Sequence, residues 1–258
     1  MKDHVYNFMK YKDLFFELIK KDIKLKYRNS VLGILWSMLN PLLMMIVLTI
    51  IFSTLFNKHI DNFPVYTLTG RLMYQFFSES TNFAMDSIGA NGHLIKKVYI
   101  PKYLFPLSRI CSSFITTLIS MVPLVLVMLV TGMSLNWINL LAIYPMICLF
   151  LTSIGVGLFL ATINVFFRDM KHLYSIILTV IMYMTPIFYP ASIIPDRYKF
   201  IIEINPLFNV VVMFRALIME GTLPSFNIAG ITLLYSCCIC FFGLFVFYKK
   251  QDKFIFYI

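Results

Sequence analysis

Residues 34–56 read ILWSMLNPLLMMIVLTIIFSTLF, and no charged residue occurs between Val31 and Asn57. A helix of about 20 apolar residues is long enough to cross the hydrocarbon core of a bilayer. Comparable apolar runs follow at about 66–88, 108–131, 139–164, 173–190 and 227–248. We therefore predict an all-α integral membrane protein with six transmembrane helices, organised as one transmembrane domain over residues 1–258.

Composition agrees with a membrane protein. Hydrophobic residues make up 60% of the 258 residues and charged residues 13%, which is too apolar for a soluble domain of this length. No small-residue cleavage site ends the first apolar run. We therefore expect this run to remain as a span and not to be removed as a signal peptide.

The basic residues are unevenly distributed. Residues 1–35 hold eight Lys and Arg, residues 89–109 hold four, 165–172 hold two and 248–258 hold three. Only five lie elsewhere: Lys58, Arg71, Arg197, Lys199 and Arg215. Because cytoplasmic loops are enriched in Lys and Arg, this asymmetry predicts that both termini are cytoplasmic. Basic residues along a membrane face suit lipid headgroups, so no nucleic-acid partner is predicted.

Residues 1–30 are predicted to form an amphipathic helix in the plane of the cytoplasmic membrane surface. At helical spacing, the apolar residues fall on one face and most of the charged residues on the other. Asp22 and Lys26 intrude on the apolar side. The apolar face is predicted to contain Phe8, Tyr11, Leu14, Phe15, Leu18, Ile19 and Leu25.

The second span is unusual because it contains Arg71, Glu79 and Asp86. Charges at membrane depth are costly, so Glu79 should face protein, a partner subunit or water. Arg71, two turns away, is a candidate to offset its charge. Arg71 and Asp86 themselves lie near the two ends of the span, where they fit positions at the membrane interfaces.

About forty residues separate spans 5 and 6 on the outer side. They are apolar yet broken by five prolines, at positions 186, 190, 195, 206 and 224. Short helices that re-enter the outer leaflet while buried against protein would reconcile these properties. We therefore predict outer re-entrant helices between spans 5 and 6.

The spacing of Cys, His, Asp and Glu in the sequence does not match that of a metal site or a catalytic site. All five cysteines lie inside apolar runs, and the four histidines are far apart, so no metal site is predicted. A membrane glycosyl- or acyltransferase would need clustered carboxylates or a His–Asp pair near one interface. Asp169 beside Arg168 is the one cytoplasmic candidate, and we interpret it as an ion-paired turn. No catalytic residue is predicted.

Four stretches in order resemble one family. They are KYRNSVLGILWSMLNPLL (26–43), LIKKVYIPKYLFPLS (94–108), NVFFRDM (164–170), and TPIFYP with INPL (185–190, 204–207). The chain resembles the membrane subunits of ABC transporters that export lipid-linked polysaccharides such as O-antigen, capsule and teichoic acid. An exporter of a drug or small lipid with the same architecture is the alternative.

The resemblance implies a homodimer in the bacterial cytoplasmic (inner) membrane with two cytoplasmic ATPase subunits, which would bind ATP and magnesium. The chain itself contains no G-x-x-x-x-G-K-[ST] phosphate-binding loop, so no cofactor is expected in it. In the family, the loop between spans 2 and 3 couples to the ATPase. The matching coupling residues here are His93, Leu94, Ile95, Lys96, Lys97, Val98, Tyr99 and Lys102.

Export of a polyprenyl-diphosphate-linked glycan also needs a route through the membrane. We expect Lys24, Lys26 and Arg28 to meet the lipid diphosphate at the cytoplasmic surface. Aromatic rings offer a glycan flat faces without tight binding, and polar side chains offer hydrogen bonds to its hydroxyls. The channel candidates are Asn40, Tyr74, Phe76, Phe77, Glu79, Tyr183, Phe188 and Tyr189.

Overall fold

The computed structural model describes residues 9–28, 30–56, 60–190, 193, 195, 197 and 205–257, with only the backbone described at 54–56. Within these ranges the protein contains helices and no strands, which confirms the predicted all-α class. The α-helices are α1 (Lys12–Lys26), α2 (Trp36–Phe56), α3 (Phe63–Ala90), α4 (Gly92–Lys97), α5 (Leu104–Ile119), α6 (Met121–Val130), α7 (Ile143–Phe166), α8 (Met170–Met184), α9 (Pro206–Arg215) and α10 (Phe226–Lys250).

Shorter helical turns extend several of these elements. Turns of 3₁₀-helix precede α2 at Gly33–Leu35, precede α7 at Trp137–Ala142 and follow α10 at Gln251–Phe256. A π-helical segment, Ala216–Glu220, continues α9 and ends at Gly221.

Four helical segments are long and apolar enough to cross a membrane: Gly33–Ser53, Leu104–Val130, Trp137–Phe166 and Phe226–Phe256. They correspond to predicted spans 1, 3, 4 and 6. The other two predicted spans are helical but differ in character. Helix α3 has 28 residues and carries charges, and α8 is an apolar helix of 15 residues. The count of six spans therefore stays a prediction.

Helix α3 lies at the centre of the described structure. It packs against α2, α5, α7 and α9, and most of its apolar side chains are buried in the main core. Its first turn is capped by Asn62, whose side chain accepts a hydrogen bond from the Val65 amide at 3.3 Å, and Pro64 occupies an early position where no amide is needed. The most polar of the predicted spans is thus the most enclosed.

Helices α7 and α10 approach so closely that their backbones touch. A Cβ atom added at Gly155 would collide with the backbone of Ile239 and Cys240, and one at Gly243 would collide with the backbone of Gly155. Thr152 donates a hydrogen bond to Ser236 across the same contact at 3.1 Å. Small residues permit such close packing of helices in membranes, where apolar burial contributes little.

Helix α1 packs on the rest of the chain by the face that was predicted. Phe15, Leu18 and Ile19 are buried in a second core cluster. Leu25, which was also predicted on the apolar face, is 45% exposed within the subunit. Phe8 lies outside the described residues.

Arg215, one of the five basic residues outside the basic segments, holds the chain that follows α8. Its guanidinium donates hydrogen bonds to the carbonyl oxygens of Pro186 at 2.6 Å, Ile187 at 3.0 Å and Tyr66 at 3.0 Å. It also stacks 3.4 Å from the Tyr66 ring centroid. Helix α9 is accordingly apolar and buried against the protein, as the pattern of the outer segment predicted.

The glycine contact between α7 and α10 predicts that the same substitution, glycine to alanine, changes the free energy of unfolding differently at two positions. Gly155→Ala should lower the free energy of unfolding by about 1–3 kcal/mol, because the added methyl group forces the backbones apart. Gly230→Ala, on the same α10, meets open space and should be neutral or stabilising, since alanine favours helix more than glycine. Thermal unfolding of both purified variants in detergent measures the difference. Equal stability would contradict the contact.

Candidate functional site

A short helix and the residues after it form the first candidate site. Helix α4 and the turn that follows expose His93, Lys96, Lys97, Val98 and Tyr99, with the Tyr99 side chain 93% exposed. We call these five residues the coupling surface. They give one small area that is basic and aromatic.

Two predicted coupling residues, Ile95 and Lys102, are directed into the subunit. Ile95 is buried in the same cluster as α1, because a six-residue helix between two packed helices must bury one side. Lys102 donates a hydrogen bond to the Gln251 carbonyl at 2.7 Å and lies over the Phe254 ring. Leu94 is half-buried against the same cluster. Of the eight predicted coupling residues, only the five of the coupling surface are therefore open to a partner within this subunit.

The second candidate site surrounds an ion pair between α1 and α3. Lys26 Nζ lies 2.5 Å from Glu79 Oε2, and the two side chains are 28% and 29% exposed. Gln75 Nε2 donates a hydrogen bond to the other carboxylate oxygen at 2.8 Å. Arg71 forms no ion pair with Glu79 within the described structure, and its Nε is buried without a hydrogen-bond partner. Lys26, and not Arg71, therefore pairs with Glu79.

A polar cavity of about 170 Å³ opens beside this ion pair. We call it the inner pocket. It lies between the end of α1, the start of α2, the middle of α3 and the junction of α5 with α6. Its wall consists of Lys26, Tyr27, Ser30, Trp36, Ser37, Asn40, Leu72, Gln75, Glu79, Thr116, Thr117 and Ser120.

The three predicted lipid-diphosphate residues do not form one cluster. Lys24 and Arg28 are exposed, whereas Lys26 is directed inward to Glu79. The periodicity of α1 already placed Lys26 on its apolar side, and that was the signal that it turns toward protein. The basic groups open to solvent here are those of Lys24 and Arg28.

A second ion pair fixes α1 to α5. Asp22, with its side chain 6% exposed, lies 3.2 Å from Arg109 and accepts a hydrogen bond from Ser108 at 3.4 Å. Burial raises the pKa of the Asp22 carboxyl, and the guanidinium of Arg109 opposes that rise. The other residue that broke the apolar pattern of α1 thus also binds a partner helix.

The third charge of α3 is paired with the start of α8. Asp86 lies 2.8 Å from Lys171 at the start of α8 and accepts a hydrogen bond from Asn164 at 3.4 Å. The predicted ion pair between Arg168 and Asp169 is not found among the described residues. Arg168 instead lines a cavity of about 490 Å³ together with Asp86 and Lys171.

Three of the predicted channel aromatics lie in the core of the subunit. The side chains of Tyr74, Phe76 and Phe77 are no more than 8% exposed. Tyr74 donates a hydrogen bond to the Leu178 carbonyl at 3.0 Å, and Phe76 packs edge-on against Phe114. Because α3 is surrounded by other helices, its aromatic residues pack the subunit interior.

The other channel aromatics cluster where α2 and α8 end. The Phe188 ring stacks on Phe52 with centroids 5.3 Å apart, and it contacts the rings of Tyr183 and Tyr189. Tyr189 donates a hydrogen bond to the Tyr183 carbonyl at 2.6 Å. We call these four residues the outer aromatic cluster. Tyr183 is 58% exposed, so the cluster reaches the surface of the subunit.

The helices that lead to this cluster are uncovered. Helix α2 exposes Leu43, Ile46, Val47, Ile50 and Ile51, and α8 exposes Leu173, Ile176, Ile177, Val180 and Tyr183. Asn40 is also exposed on α2, near the inner pocket. Each of the two helices therefore exposes a face of large apolar side chains, and the face of α2 also carries the amide of Asn40.

Comparison with known proteins identifies the family. Residues 13–219 match the ABC-2 type transporter family. The chain belongs to this family. It is 34% identical to the O-antigen export system permease protein RfbA of Klebsiella pneumoniae over 249 residues, 94% of this chain and 93% of that protein.

Two further relatives are named for other glycans. The polysialic acid transport protein KpsM of Escherichia coli is 26% identical over 92% of each chain. The capsule polysaccharide export inner-membrane protein CtrC of Neisseria meningitidis is 24% identical over 88% of this chain and 87% of its own length. As an ABC-2 membrane subunit, the present chain is a transport component that works with ATPase subunits and is not an enzyme.

The half-buried ion pair of Lys26 and Glu79 should contribute a larger coupling energy to stability than an exposed ion pair within α1. A double-mutant cycle with Lys26→Met and Glu79→Gln should give a coupling energy above the roughly 0.2–1 kcal/mol of surface pairs. Lys20 and Glu17, 2.7 Å apart but 73% and 68% exposed, are the matched control. Thermal unfolding of each purified variant measures both couplings. A value no larger than that of the control pair would contradict the role assigned to Lys26.

Proposed function

We propose that this chain forms the membrane channel of an ATP-driven exporter that moves a polyprenyl-diphosphate-linked polysaccharide across the bacterial cytoplasmic membrane. The observation that carries the proposal is the match to an O-antigen export permease along nearly the whole chain. Relatives named for polysialic acid and capsule align over most of their length as well. The glycans differ, so what these proteins have in common is the export of long polysaccharides.

The active unit in this proposal is a homodimer, and its support is the uncovered face of α2 and α8. Apolar side chains alone would suit lipid equally well. The amide of Asn40 on the same face would not, because an unpaired amide in hydrocarbon is costly. A second copy that covers part of this face would leave a path between the subunits, with Asn40 near its inner end and the outer aromatic cluster near its outer end.

The membrane topology in this proposal has six spans. Helices α3 and α8 would be spans 2 and 5, in addition to the four long apolar helices. Helix α3 can cross the bilayer despite its charges because Glu79 and Asp86 are both paired by lysines. Helix α9 and its π-helical continuation would then form the re-entrant element, buried against protein as lipid requires.

Two surfaces on the cytoplasmic side would serve the transport cycle. The coupling surface would dock in the ATPase, whose movements would reach α1 through Ile95 and its neighbours in the second core cluster. The exposed Lys24 and Arg28 would hold the lipid diphosphate by charge-assisted hydrogen bonds. Neither residue forms an ion pair within the described structure, so both cations are open to an anionic ligand.

Reversing the charge of the coupling surface should separate the chain from its ATPase. Lys96→Glu with Lys97→Glu is expected to reduce co-purification of the ATPase subunit at least about tenfold and to abolish surface glycan, because two attractive contacts become repulsive. Lys249→Glu with Lys250→Glu makes the same charge change at the exposed end of α10 and is the control.

Immunodetection of surface glycan and of the co-purified ATPase measures both effects in a strain that lacks the chromosomal copy. Normal ATPase binding in the coupling-surface variant would contradict the docking site. Normal surface glycan in a strain with no copy of the gene would contradict polysaccharide export itself.

Cysteine labelling tests the topology. Single cysteines at positions 58, 136 and 199 should react with a membrane-impermeant maleimide added to intact cells. Cysteines at positions 97, 171 and 253 should react only after permeabilisation, because the positive-inside asymmetry keeps these loops in the cytoplasm. Protection of position 199 in intact cells would exclude the six-span arrangement together with the outer re-entrant element.

A further inference from the structure

Arg71 is the one charge of α3 that has no counter-charge within the described structure. Glu79 and Asp86 are each paired with a lysine, whereas Arg71 forms neither an ion pair nor a hydrogen bond there. Of its three guanidinium nitrogens only Nε is enclosed, so the two terminal nitrogens are open to a water-sized group. An uncompensated charge within a membrane span is costly and by default indicates a functional site.

A second cation without a carboxylate partner lies beside Arg71. Arg215 is buried and donates only to carbonyl oxygens. One of its terminal nitrogens would lie 2.6 Å from a Cβ atom added at Gly70, the residue before Arg71. Asp61 and Glu220, in the wall of the cavity that Arg215 borders, are exposed and form no ion pair among the described residues. Two neighbouring positive charges without an anion create a positive potential, which attracts anions.

The open side of α3 is polar along most of the helix. Between Thr67 and Ile88, the side chains that are not buried all fall on one stripe, and all but Phe83 are polar. At about 100° per residue these positions cover roughly 140° of the helix surface. We call the polar members the α3 stripe: Arg71, Gln75, Ser78, Glu79, Asn82 and Asp86. A span whose open side is polar does not present that side to hydrocarbon.

The α3 stripe lies at the base of a cleft between α2 and α8. Both helices pack on α3, and within the described ranges they do not form a packed pair with each other. Helix α8 bonds to Tyr74 and Thr81 on one side of the stripe. The start of α2 meets Gln75 and Glu79 on the other side, at the inner pocket. Arg71 lies between the two sides, about 60° from Tyr74 and about 40° from Gln75 around the helix.

The helices of a second copy would bring no free carboxylate to this cleft. Apart from α1 and α3, none of the described α-helices contains Asp or Glu. The two carboxylates of α3 are already paired with lysines of their own subunit. What passes along the cleft is then the source of an anion that the helices do not supply.

We propose that Arg71 is an anion-binding residue on the export path, where it holds a phosphate or carboxylate group of the cargo by charge-assisted hydrogen bonds. The inference rests on the proposed function, because it assigns a residue to the path of the same cargo. Two parts of the cargo can supply the oxyanion: the diphosphate of the lipid carrier, and acidic groups of the glycan. In the second case the subunit would select acidic glycans.

Two probes separate these sources. The complex of this chain with its ATPase subunits, in lipid nanodiscs, is titrated with polyprenyl diphosphate and separately with the glycan released from its lipid by mild acid. Arg71→Gln should weaken the binding of at least one probe about tenfold or more, because a charge-assisted hydrogen bond is lost. A loss with polyprenyl diphosphate assigns Arg71 to the carrier, and a loss with the released glycan assigns it to acidic sugars. Lys249→Gln removes a positive charge at the exposed end of α10 and should leave both affinities unchanged.

A second variant and a stability measurement exclude a structural role for Arg71. Arg71→Lys keeps the charge and should retain most of the affinity that Arg71→Gln loses. Arg71→Gln should leave thermal stability and the homodimer intact, because no bond within the described structure is removed. A lower melting temperature or a dissociated homodimer in Arg71→Gln would mean that the protein itself supplies the counter-charge, and that result would overturn the proposal.

The anion site and the proposed function fail in different ways. If Arg71→Gln binds both probes as the wild-type complex does and exports the lipid-linked glycan normally in proteoliposomes, the anion site is rejected and the proposed function stands. If the wild-type complex neither binds nor exports the lipid-linked glycan, the proposed function is rejected, and the anion site with it.

Discussion

The placement of the charges of α3 is the constraint on which the rest of this structure depends. A helix that carries Arg71, Glu79 and Asp86 cannot present these side chains to hydrocarbon, so it is enclosed by α2, α5, α7 and α9. The two carboxylates are then paired by lysines from opposite parts of the chain, Lys26 before the first span and Lys171 after the α7 turn. The apolar helices are arranged around a polar centre.

This arrangement also makes α1 part of the domain. Apolar contacts hold its buried face, and ion pairs from Asp22 and Lys26 connect it to α5 and α3. Ile95, behind the coupling surface, lies in the same apolar cluster. Helix α1 therefore touches both the element that would meet the ATPase and the wall of the inner pocket.

The two sides of the subunit are built differently. Helices α7 and α10 are joined through glycine contacts and a hydrogen bond between hydroxyls, and this packing leaves no room between them. Helices α2 and α8 expose long apolar faces. Helix α10 also exposes large apolar side chains on the side away from α7, among them Leu234, Phe241 and Phe245. What distinguishes the α7–α10 pair is therefore the closeness of its contact and not a lack of exposed apolar surface.

The sequence by itself determined the class of protein and its broad plan. Long uncharged runs predicted the spans, the asymmetry of Lys and Arg predicted their orientation, and ordered motifs predicted the family. The spans and their orientation can be predicted from one segment at a time, because each depends on how readily that segment transfers from water into lipid and on the charges beside it. The buried helix α9 in the apolar segment after span 5 also followed from local pattern, because such a segment must satisfy its own backbone.

Only the tertiary structure decided which side chains meet. Glu79 was expected near Arg71 along one helix, but its partner came from Lys26, 53 residues away in sequence. Tyr74, Phe76 and Phe77 are as aromatic as Tyr183, yet the first three became core and Tyr183 reached the surface. Composition could not separate them, because exposure depends on which helices surround a residue. The inner pocket likewise exists only where four elements converge, and no single segment of the chain contains it.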